Sequence, residues 1–357
     1  MKLFNFLCLS ILCTTQLLPC TGMLVQAEDG SSVNGRTVEF GVPLDMSLAV
    51  VPRNISFTGK TPVGNGMSYK SKYAAAGIYT FEDVILMDGI NEKGLVAAAF
   101  YFPGYASYAK VTKKNQKKAL SPVDFPNWIL TQFASIEEVK KGVESVIIAP
   151  TVLKNWGEAP PPMHYIVYDQ SGNSIVIEPI DGSLKVYDNK LGVITNSPTF
   201  DWQTTNLNNY INLTPYNVVP HQLDKLKFTS FGQGTGMLGL PGDFTPPSRF
   251  VRAAFFSALA TPSKNGEEAV NQIFRLLNQF DIPSGVVAQK EDGKTTYDYT
   301  LLTSVKNPQT LEYLYRSYQN QAIQYINLSQ FDFNAKSIKT MKVQGTQQKY
   351  NVSSQLE

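Results

Sequence analysis

The stretch CTGMLVQAEDGSSVNGRTVEFG, residues 20–41, contains two strand-like runs at residues 22–27 and 37–41. Turn signals separate these runs from each other and from a third run at residues 47–52. Such alternation is typical of β-hairpins. The sequence therefore predicts an antiparallel sheet near Cys20.

Beyond this start, strand signals and helix signals fall into separate blocks. The turn signals Asp88-Gly89 and Glu92-Lys93-Gly94 precede a strand-like run at residues 95–102. Parallel sheets need a helix between nearly every pair of strands, so this organisation predicts an α+β fold with antiparallel sheets. Helices are predicted at residues 124–133, 250–259 and around 270–277, and a further helix follows Ser135, which forms a capping box with Glu138. Further strands are predicted at residues 163–169, 174–179, 184–188, 191–196, 299–305, 311–315 and 322–326.

The composition indicates a globular protein that does not bind nucleic acid. The chain has 357 residues, 43% of them hydrophobic and 17% charged, and no linker divides it. The formal net charge of +2 is spread along the chain, whereas nucleic-acid binders concentrate basic residues on one face. The lysine cluster within residues 110–118 is interpreted as a solvated loop.

Residues 1–19 are predicted to be a leader peptide that directs export. Lys2 supplies the positive start, and the apolar run at residues 3–12 is too short to span a bilayer comfortably. We therefore expect a catalytic domain at residues 20–357, a periplasmic or secreted location, and no stable membrane insertion after the leader is removed. Removal before Cys20 would leave one thiol, since Cys8 and Cys13 precede it.

The usual catalytic and metal-binding side chains are scarce. His164 and His221 are the only histidines, and the sequence lacks a Gly-x-Ser-x-Gly elbow, so structural or surface roles are predicted for both. Without paired His or Cys at ligand spacing, we expect neither a metal nor a cofactor. The glycine loop at residues 232–236 lacks the Lys-Ser/Thr of a phosphate-binding loop and is interpreted as a bend near a site.

Cys20 is the remaining candidate nucleophile. A chain that began at this cysteine would carry both a thiol and a free α-amine that can act as its base, a known route to activation without histidine. The alternative is a lipid anchor, because Leu17-Leu18-Pro19-Cys20 loosely resembles a lipoprotein cleavage site. The residues alone leave both interpretations open.

Five motifs occur in order along the chain: Cys20-Thr21-Gly22, Gly35-Arg36, residues 88–95 (DGINEKGL), Thr195-Asn196-Ser197-Pro198 and residues 239–250 (GLPGDFTPPSRF). Together they resemble the choloylglycine hydrolases, a family of N-terminal nucleophile hydrolases that includes bile salt hydrolases and penicillin V acylases. The resemblance extends from Cys20 to about Lys342. It implies a four-layer αββα fold of two antiparallel sheets flanked by helices, and a homotetramer.

The resemblance also implies roles for single residues. Cys20 would attack the scissile carbonyl, and Arg36 would favour its thiolate. Asn196 would help hold the oxyanion, and Arg249 would complete the charge network around the nucleophile. Two positions depart from bile salt hydrolases: Glu39 stands where the family has Asp, and Tyr101 stands where bile salt hydrolases carry Asn and penicillin V acylases carry Tyr.

These roles predict a cysteine-nucleophile hydrolase of linear carbon–nitrogen amide bonds. Its expected partner is a small amide with a bulky apolar acyl group. Conjugated bile salts are the leading substrate, with penicillin V and N-acyl homoserine lactones as alternatives. A different class stays open, namely a lipid-anchored or secreted binding protein without catalytic activity on the same scaffold.

Overall fold

The computed structural model describes residues 19–41, 44–80, 83–154, 156–291, 293–343 and 345–356. The predicted leader, apart from Pro19, lies outside these residues. The strands are β1 (Cys20–Gln26), β2 (Ser32–Phe40), β3 (Ser47–Val51), β4 (Ser56–Thr61), β5 (Gly64–Lys70), β6 (Ala75–Tyr79), β7 (Asp88–Asn91), β8 (Val96–Tyr101), β9 (Ala119–Leu120), β10 (Ile147–Ile148), β11 (Met163–Tyr168), β12 (Ser174–Ile180), β13 (Ser183–Asp188), β14 (His221–Leu223), β15 (Leu226–Phe228), β16 (Val287–Glu291), β17 (Lys294–Asn307), β18 (Glu312–Ser317), β19 (Gln324–Asn327) and β20 (Lys339–Lys342). The α-helices are α1 (Asp124–Gln132), α2 (Ile136–Val143), α3 (Phe200–Asn206), α4 (Pro246–Leu259) and α5 (Gly266–Leu277).

Two antiparallel sheets form the centre of the molecule. In the first, the strand order is β1-β2-β17-β18-β19, with β16 paired to β17. In the second, the order is β13-β12-β11-β8-β7-β6-β3-β20. Antiparallel pairing allows short turns between neighbours, which explains why hairpin signals dominate the sequence.

Helices cover the outer faces of both sheets. α4 and α5 pack against β1 and β2, and their apolar residues join a core cluster that continues into the second sheet. A second cluster lies between the other face of the second sheet and α1 and α2. The predicted four-layer αββα architecture is therefore confirmed.

Most predicted elements lie where the sequence placed them, including the helix capped by Ser135, whose Oγ accepts a hydrogen bond from Glu138 N–H at 3.3 Å. Two predictions were wrong. Asp88-Gly89 lies within β7 and does not form a turn, because Asp88 pairs with buried partners and Gly89 lets two strands approach closely: an added Cβ would lie 2.5 Å from Ala76 O.

The predicted strand at residues 191–196 is the second error. Only Ile194 pairs there, through a single antiparallel bridge to Gly22. Asn189 and Gly192 form a turn at its start, and Ser197-Pro198 ends the extended run. Among the described residues, no helix combines the length and the apolar character needed to cross a bilayer.

Candidate active site

Cys20 is the first residue of β1, the edge strand of the first sheet, and belongs to the core cluster that joins the two sheets. Its side chain is a free thiol and is buried. Two residues on, Gly22 bridges to Ile194, and a Cβ at Gly22 would lie 2.8 Å from Phe100 and 2.9 Å from Ile194. Glycine is therefore required for the segment that carries Asn196 to approach β1.

Asn196 contacts the backbone nitrogen of Cys20. Cys20 N–H donates to Asn196 Oδ1 at 2.8 Å, and Asn196 Nδ2 donates to Tyr101 O at 2.7 Å. The first contact spans 176 residues of sequence. The side-chain amide is therefore held between the start of β1 and the end of β8.

Arg249 connects the same groups from α4. Its Nη2 donates to Asn196 Oδ1 at 2.6 Å, and its Nη1 donates to Cys20 O and to Thr21 Oγ1. Burial lowers the pKa of Arg249 to about 10, with nearby Glu39 opposing the shift. The guanidinium is therefore still charged at neutral pH.

Arg36 lies on β2, and its Cα pairs with that of Gly22. The guanidinium is buried, donates from Nη1 to Ala99 O at 2.6 Å, and stacks with its carbon 3.9 Å from the centre of the Phe100 ring. It shares the lining of one pocket with Cys20. A fixed positive charge in a buried site favours a thiolate.

Glu39 is buried near the end of β2, where Thr300 Oγ1 donates to its Oε1 at 2.9 Å. Its other oxygen, Oε2, has no hydrogen-bond partner among the described residues. Burial raises the pKa of Glu39 to about 7, and the positive charges of Arg249 and Arg36 oppose the shift. Glu39 therefore changes charge close to neutral pH.

The pocket above Cys20 is mainly apolar and encloses about 650 Å³ of atom-free space, part of it open to solvent. Tyr101 lies in its wall, and burial raises the pKa of this phenol to about 12, so the hydroxyl is neutral. The Trp156 ring lies 6.2 Å from the Tyr101 ring and 5.4 Å from the Phe40 ring. These three rings form one aromatic side of the pocket.

All six predicted site residues therefore belong to one connected region. Cys20, Arg36, Glu39 and Tyr101 line the pocket, while Asn196 and Arg249 lie behind Cys20 and bind its backbone.

Asp88 is a site residue that the sequence reasoning did not identify. It also lines the pocket, and its carboxylate accepts hydrogen bonds from Ser304 Oγ at 2.7 Å, from Tyr313 OH at 2.6 Å and from Lys306 Nζ. Burial opposes ionisation of Asp88, but Lys306 and Arg36 outweigh this effect, and its pKa lies below the usual value. The available sequence signal for this site was Lys306, a charged residue in a largely apolar part of its strand. Its pairing with Asp88 cannot be recognised from the sequence.

The two histidines have the structural or surface positions that the sequence predicted. His164 is buried between Glu178 and Thr195, and His221 is exposed on β14. Within the described ranges, no group of three or more His, Cys, Asp or Glu residues could hold a metal ion.

The glycine loop at residues 232–236 is largely exposed. Gly236 packs against the backbone of Thr214 and Tyr216, where an added Cβ would lie 2.4 Å and 2.1 Å from their carbonyl oxygens. The loop does bend the backbone, but no residue of it lines the pocket above Cys20.

An αββα sandwich with Cys20 at the start of β1, the edge strand of the first sheet, has the fold of the N-terminal nucleophile hydrolases. The family model of linear amide C–N hydrolases, choloylglycine hydrolase family, matches residues 20–341. The chain belongs to this family and is an amidase.

Comparison with known proteins gives relatives and solved structures that match over most of the chain. The bile salt hydrolase/transferase of Clostridium perfringens is 36% identical over 335 residues, which cover 92% of this chain and 98% of that protein. The bile salt hydrolase/transferase of Lactiplantibacillus plantarum is 33% identical over 315 residues, or 87% and 92%. A crystal structure of a mutant conjugated bile acid hydrolase from Clostridium perfringens matches with a TM-score of 0.83 at 33% identity and covers 94% of this chain and 100% of that one. Penicillin V acylase from Agrobacterium tumefaciens matches with a TM-score of 0.71 at 26% identity and 90% coverage of both chains.

Proposed function

We propose that the protein, with Cys20 as its first residue, hydrolyses the amide bond of conjugated bile salts. The observation that carries this proposal is the position of Cys20, at the start of β1 beneath an apolar pocket with Arg36 in its lining. The relatives named bile salt hydrolase/transferase support the substrate class. An apolar acyl group would occupy the pocket and place its amide carbonyl over the thiol.

The reaction follows from these contacts. The α-amine of Cys20 takes the thiol proton, the thiolate attacks the amide carbonyl, and the resulting oxyanion accepts a hydrogen bond from Asn196. One Nδ2 hydrogen of Asn196 is used on Tyr101 O, and we assign the second to the oxyanion. The C–N bond then breaks as the α-ammonium of Cys20 gives a proton to the leaving amine. Water, deprotonated by the same α-amine, hydrolyses the thioester and restores the thiol.

The hydrogen bond between Cys20 N and Asn196 Oδ1 suits this role. In a chain that starts at Cys20, the same oxygen would accept from the α-amine and hold it beside the thiol. Two crystal structures of the Clostridium perfringens enzyme carry substitutions of a cysteine and of an arginine sixteen positions apart, the interval that separates Cys20 from Arg36. This agreement supports the assignment of both residues to the site.

Penicillin V is the second candidate substrate. Tyr101, Trp156 and Phe40 give the pocket an aromatic side that suits an aryl group on the acyl chain. A penicillin V acylase of Pectobacterium atrosepticum is 28% identical over 241 residues. N-acyl homoserine lactones stay a prediction that rests on the shared apolar acyl group.

The proposal requires that the peptide bond before Cys20 be cut. We propose export followed by removal of the leader in two events. Signal peptidase favours small residues that Leu17 and Pro19 do not supply, whereas a cut after Thr15 fits better. Attack of the Cys20 thiol on the Pro19 carbonyl would then break the C–N bond before Cys20 and leave residues 16–19 on the sulfur as a thioester, which water hydrolyses to release them. N-terminal sequencing of active protein is expected to find Cys20 first, and active protein that begins at Gln16 would refute the mechanism.

We also propose a homo-oligomer, on the basis of family resemblance. Light scattering on the purified protein is expected to give a mass several times that of one chain. A monomer mass at working concentration would contradict this part of the proposal.

A hydrolysis panel tests the substrate assignment. Purified protein that starts at Cys20 is incubated with glycine- and taurine-conjugated bile salts, penicillin V and an acyl homoserine lactone, and the released amine is measured. We expect the highest kcat/KM on a conjugated bile salt. Preference for penicillin V would transfer the assignment to the second candidate.

A further inference from the structure

A buried histidine and a buried glutamate, outside the reacting groups, lie next to the segment that carries Asn196. His164 is on β11 and Glu178 is on the neighbouring strand β12, with side chains 2% and 0% exposed. Nδ1 of His164 lies 3.2 Å from Oε1 of Glu178. Burial of such a pair is costly, and the mechanism above does not use it.

The pair anchors both ends of residues 195–200 through backbone hydrogen bonds. Nε2 of His164 lies 3.1 Å from Thr195 O. At the other end, Phe200 N–H donates to Glu178 Oε1 at 2.9 Å. Asn196 lies between the two anchors.

The chemistry of these atoms determines which one donates and which one accepts the hydrogen bond to Thr195. A carbonyl oxygen only accepts, so Nε2 of His164 carries a hydrogen that points at Thr195. Nδ1 faces Oε1 of Glu178 at 3.2 Å, so a hydrogen bond joins the imidazole to the carboxyl group. The Phe102 ring stacks on the imidazole at 4.3 Å and 4°, which prevents the ring from turning away.

We propose that His164 and Glu178 are positioning residues for Asn196. They do not touch the substrate. By holding residues 195–200 at both ends, they keep the Asn196 amide where its oxygen meets Cys20 N and its nitrogen meets the oxyanion. The inference rests on the proposed function, because it requires Asn196 to act in hydrolysis.

Two substitutions of His164 separate positioning from general packing. In His164→Gln the side-chain amide nitrogen lies close to the position of Nε2 and can still donate to Thr195 O. In His164→Asn the amide nitrogen lies close to the position of Nδ1, and the shorter side chain does not reach Thr195 O. We expect the Gln variant to keep kcat within about threefold and the Asn variant to lose about tenfold or more, because a misplacement of ~1 Å can cost up to ~10²-fold. KM is expected to stay within about twofold in both, since the apolar pocket is unchanged.

Tyr165→Phe is the matched control. Tyr165 is the next residue on β11, is buried, and also bonds a backbone oxygen, that of Pro122 at 2.9 Å, but on the opposite face of the strand. Its kcat is expected to equal that of the wild type. Iodoacetamide labelling of Cys20 is expected to be unchanged in Tyr165→Phe and in His164→Gln, because neither change moves Asn196 away from Cys20 N.

Hydrogen exchange of residues 195–200 gives a readout that needs no substrate. Faster exchange is expected in His164→Asn and not in His164→Gln. If His164→Asn does not fold, Glu178→Met removes the Phe200 anchor and carries the same expected loss of kcat and of protection from exchange.

Three results would overturn the inference, provided that the wild-type protein is active. The first is a His164→Asn variant with the kcat of the wild type, and the second is a His164→Asn variant in which only KM changes. The third is a Tyr165→Phe variant that loses as much kcat as His164→Asn. Wild-type protein that releases no amine from any substrate refutes the proposed function instead, and the exchange result then decides the positioning role separately.

Discussion

Arg249 and Asn196 are joined by a hydrogen bond of 2.6 Å between Nη2 and Oδ1, although 53 residues separate them in the chain. The same Oδ1 accepts from Cys20 N, so one amide oxygen connects the arginine to the start of β1. Arg249 Nη1 also donates to Cys20 O, so Asn196 and Arg249 together bind the backbone nitrogen and the backbone oxygen of Cys20. The geometry of Cys20 therefore depends on a guanidinium that binds several acceptors at once.

Arg249→Lys is expected to lower kcat about tenfold or more, because an ammonium is a point charge that cannot reproduce the fixed fork of a guanidinium. Arg252→Lys is the control. Arg252 lies on the same helix, is also buried, and binds Pro241 O and Asp243 O away from Cys20. Steady-state kinetics and melting temperatures of both variants check the prediction, and an equal loss of kcat in Arg252→Lys would attribute the effect to helix stability.

Arg36→Ala is expected to lower turnover and to raise the pH at which iodoacetamide labels Cys20, because a buried positive charge that favours the thiolate is removed. Arg53→Ala serves as the control, since Arg53 pairs with Glu92 at 2.6 Å elsewhere in the fold. The labelling rate is measured against pH for both variants and the wild type. An unchanged profile in Arg36→Ala would remove Arg36 from the site.

Glu39 is expected to make stability depend on pH. Its pKa is raised by burial to about 7, so its contribution to stability is full below pH 4.5 and is lost as the pH rises through 7. Relative to Glu39→Gln, which does not ionise, the wild type should therefore lose stability across this window, by on the order of 3 kcal/mol. Urea denaturation of both proteins at several pH values measures the difference, and a constant difference would show that Glu39 stays ionised.

Glu39→Asp tests the family position directly. We expect the variant to be tolerated or more active, if the longer side chain performs the work of the family aspartate. Hydrolysis rates at neutral pH decide this. An inactive variant would show that this site is adjusted to glutamate.

Tyr101→Asn is expected to raise the ratio of bile salt to penicillin V hydrolysis, since it removes one ring from the aromatic side of the pocket. Tyr105→Asn, at an exposed position, is the control. The ratio of the two kcat/KM values is the readout. If the ratio does not change, other residues of the pocket determine substrate choice.

The sequence predicted the architecture because hairpin and helix signals are local. Ser135 and Glu138 are three residues apart, and the structure shows their hydrogen bond. The family resemblance also identified six residues that meet at one site, four of them within the five motifs. Asp88 was misread as part of a turn, because Asp-Gly is a turn signal unless a distant strand supplies a buried partner.

Lys306 is that partner, and it lies 218 residues away. His164 likewise could not be assigned a role from the sequence, because its contacts with Glu178 and Thr195 join separate elements of the fold. Interactions of this kind follow from tertiary packing, which no local pattern encodes.

The most direct test of the account is release of the amino acid from a conjugated bile salt by protein shown by mass spectrometry to begin at Cys20. The wild type is expected to release the amino acid over many turnovers. Cys20→Ser, folded to the same melting temperature, should release almost none, because a hydroxyl is far less ionised than a thiol. Release by Cys20→Ser at the wild-type rate would contradict the claim that Cys20 is the nucleophile.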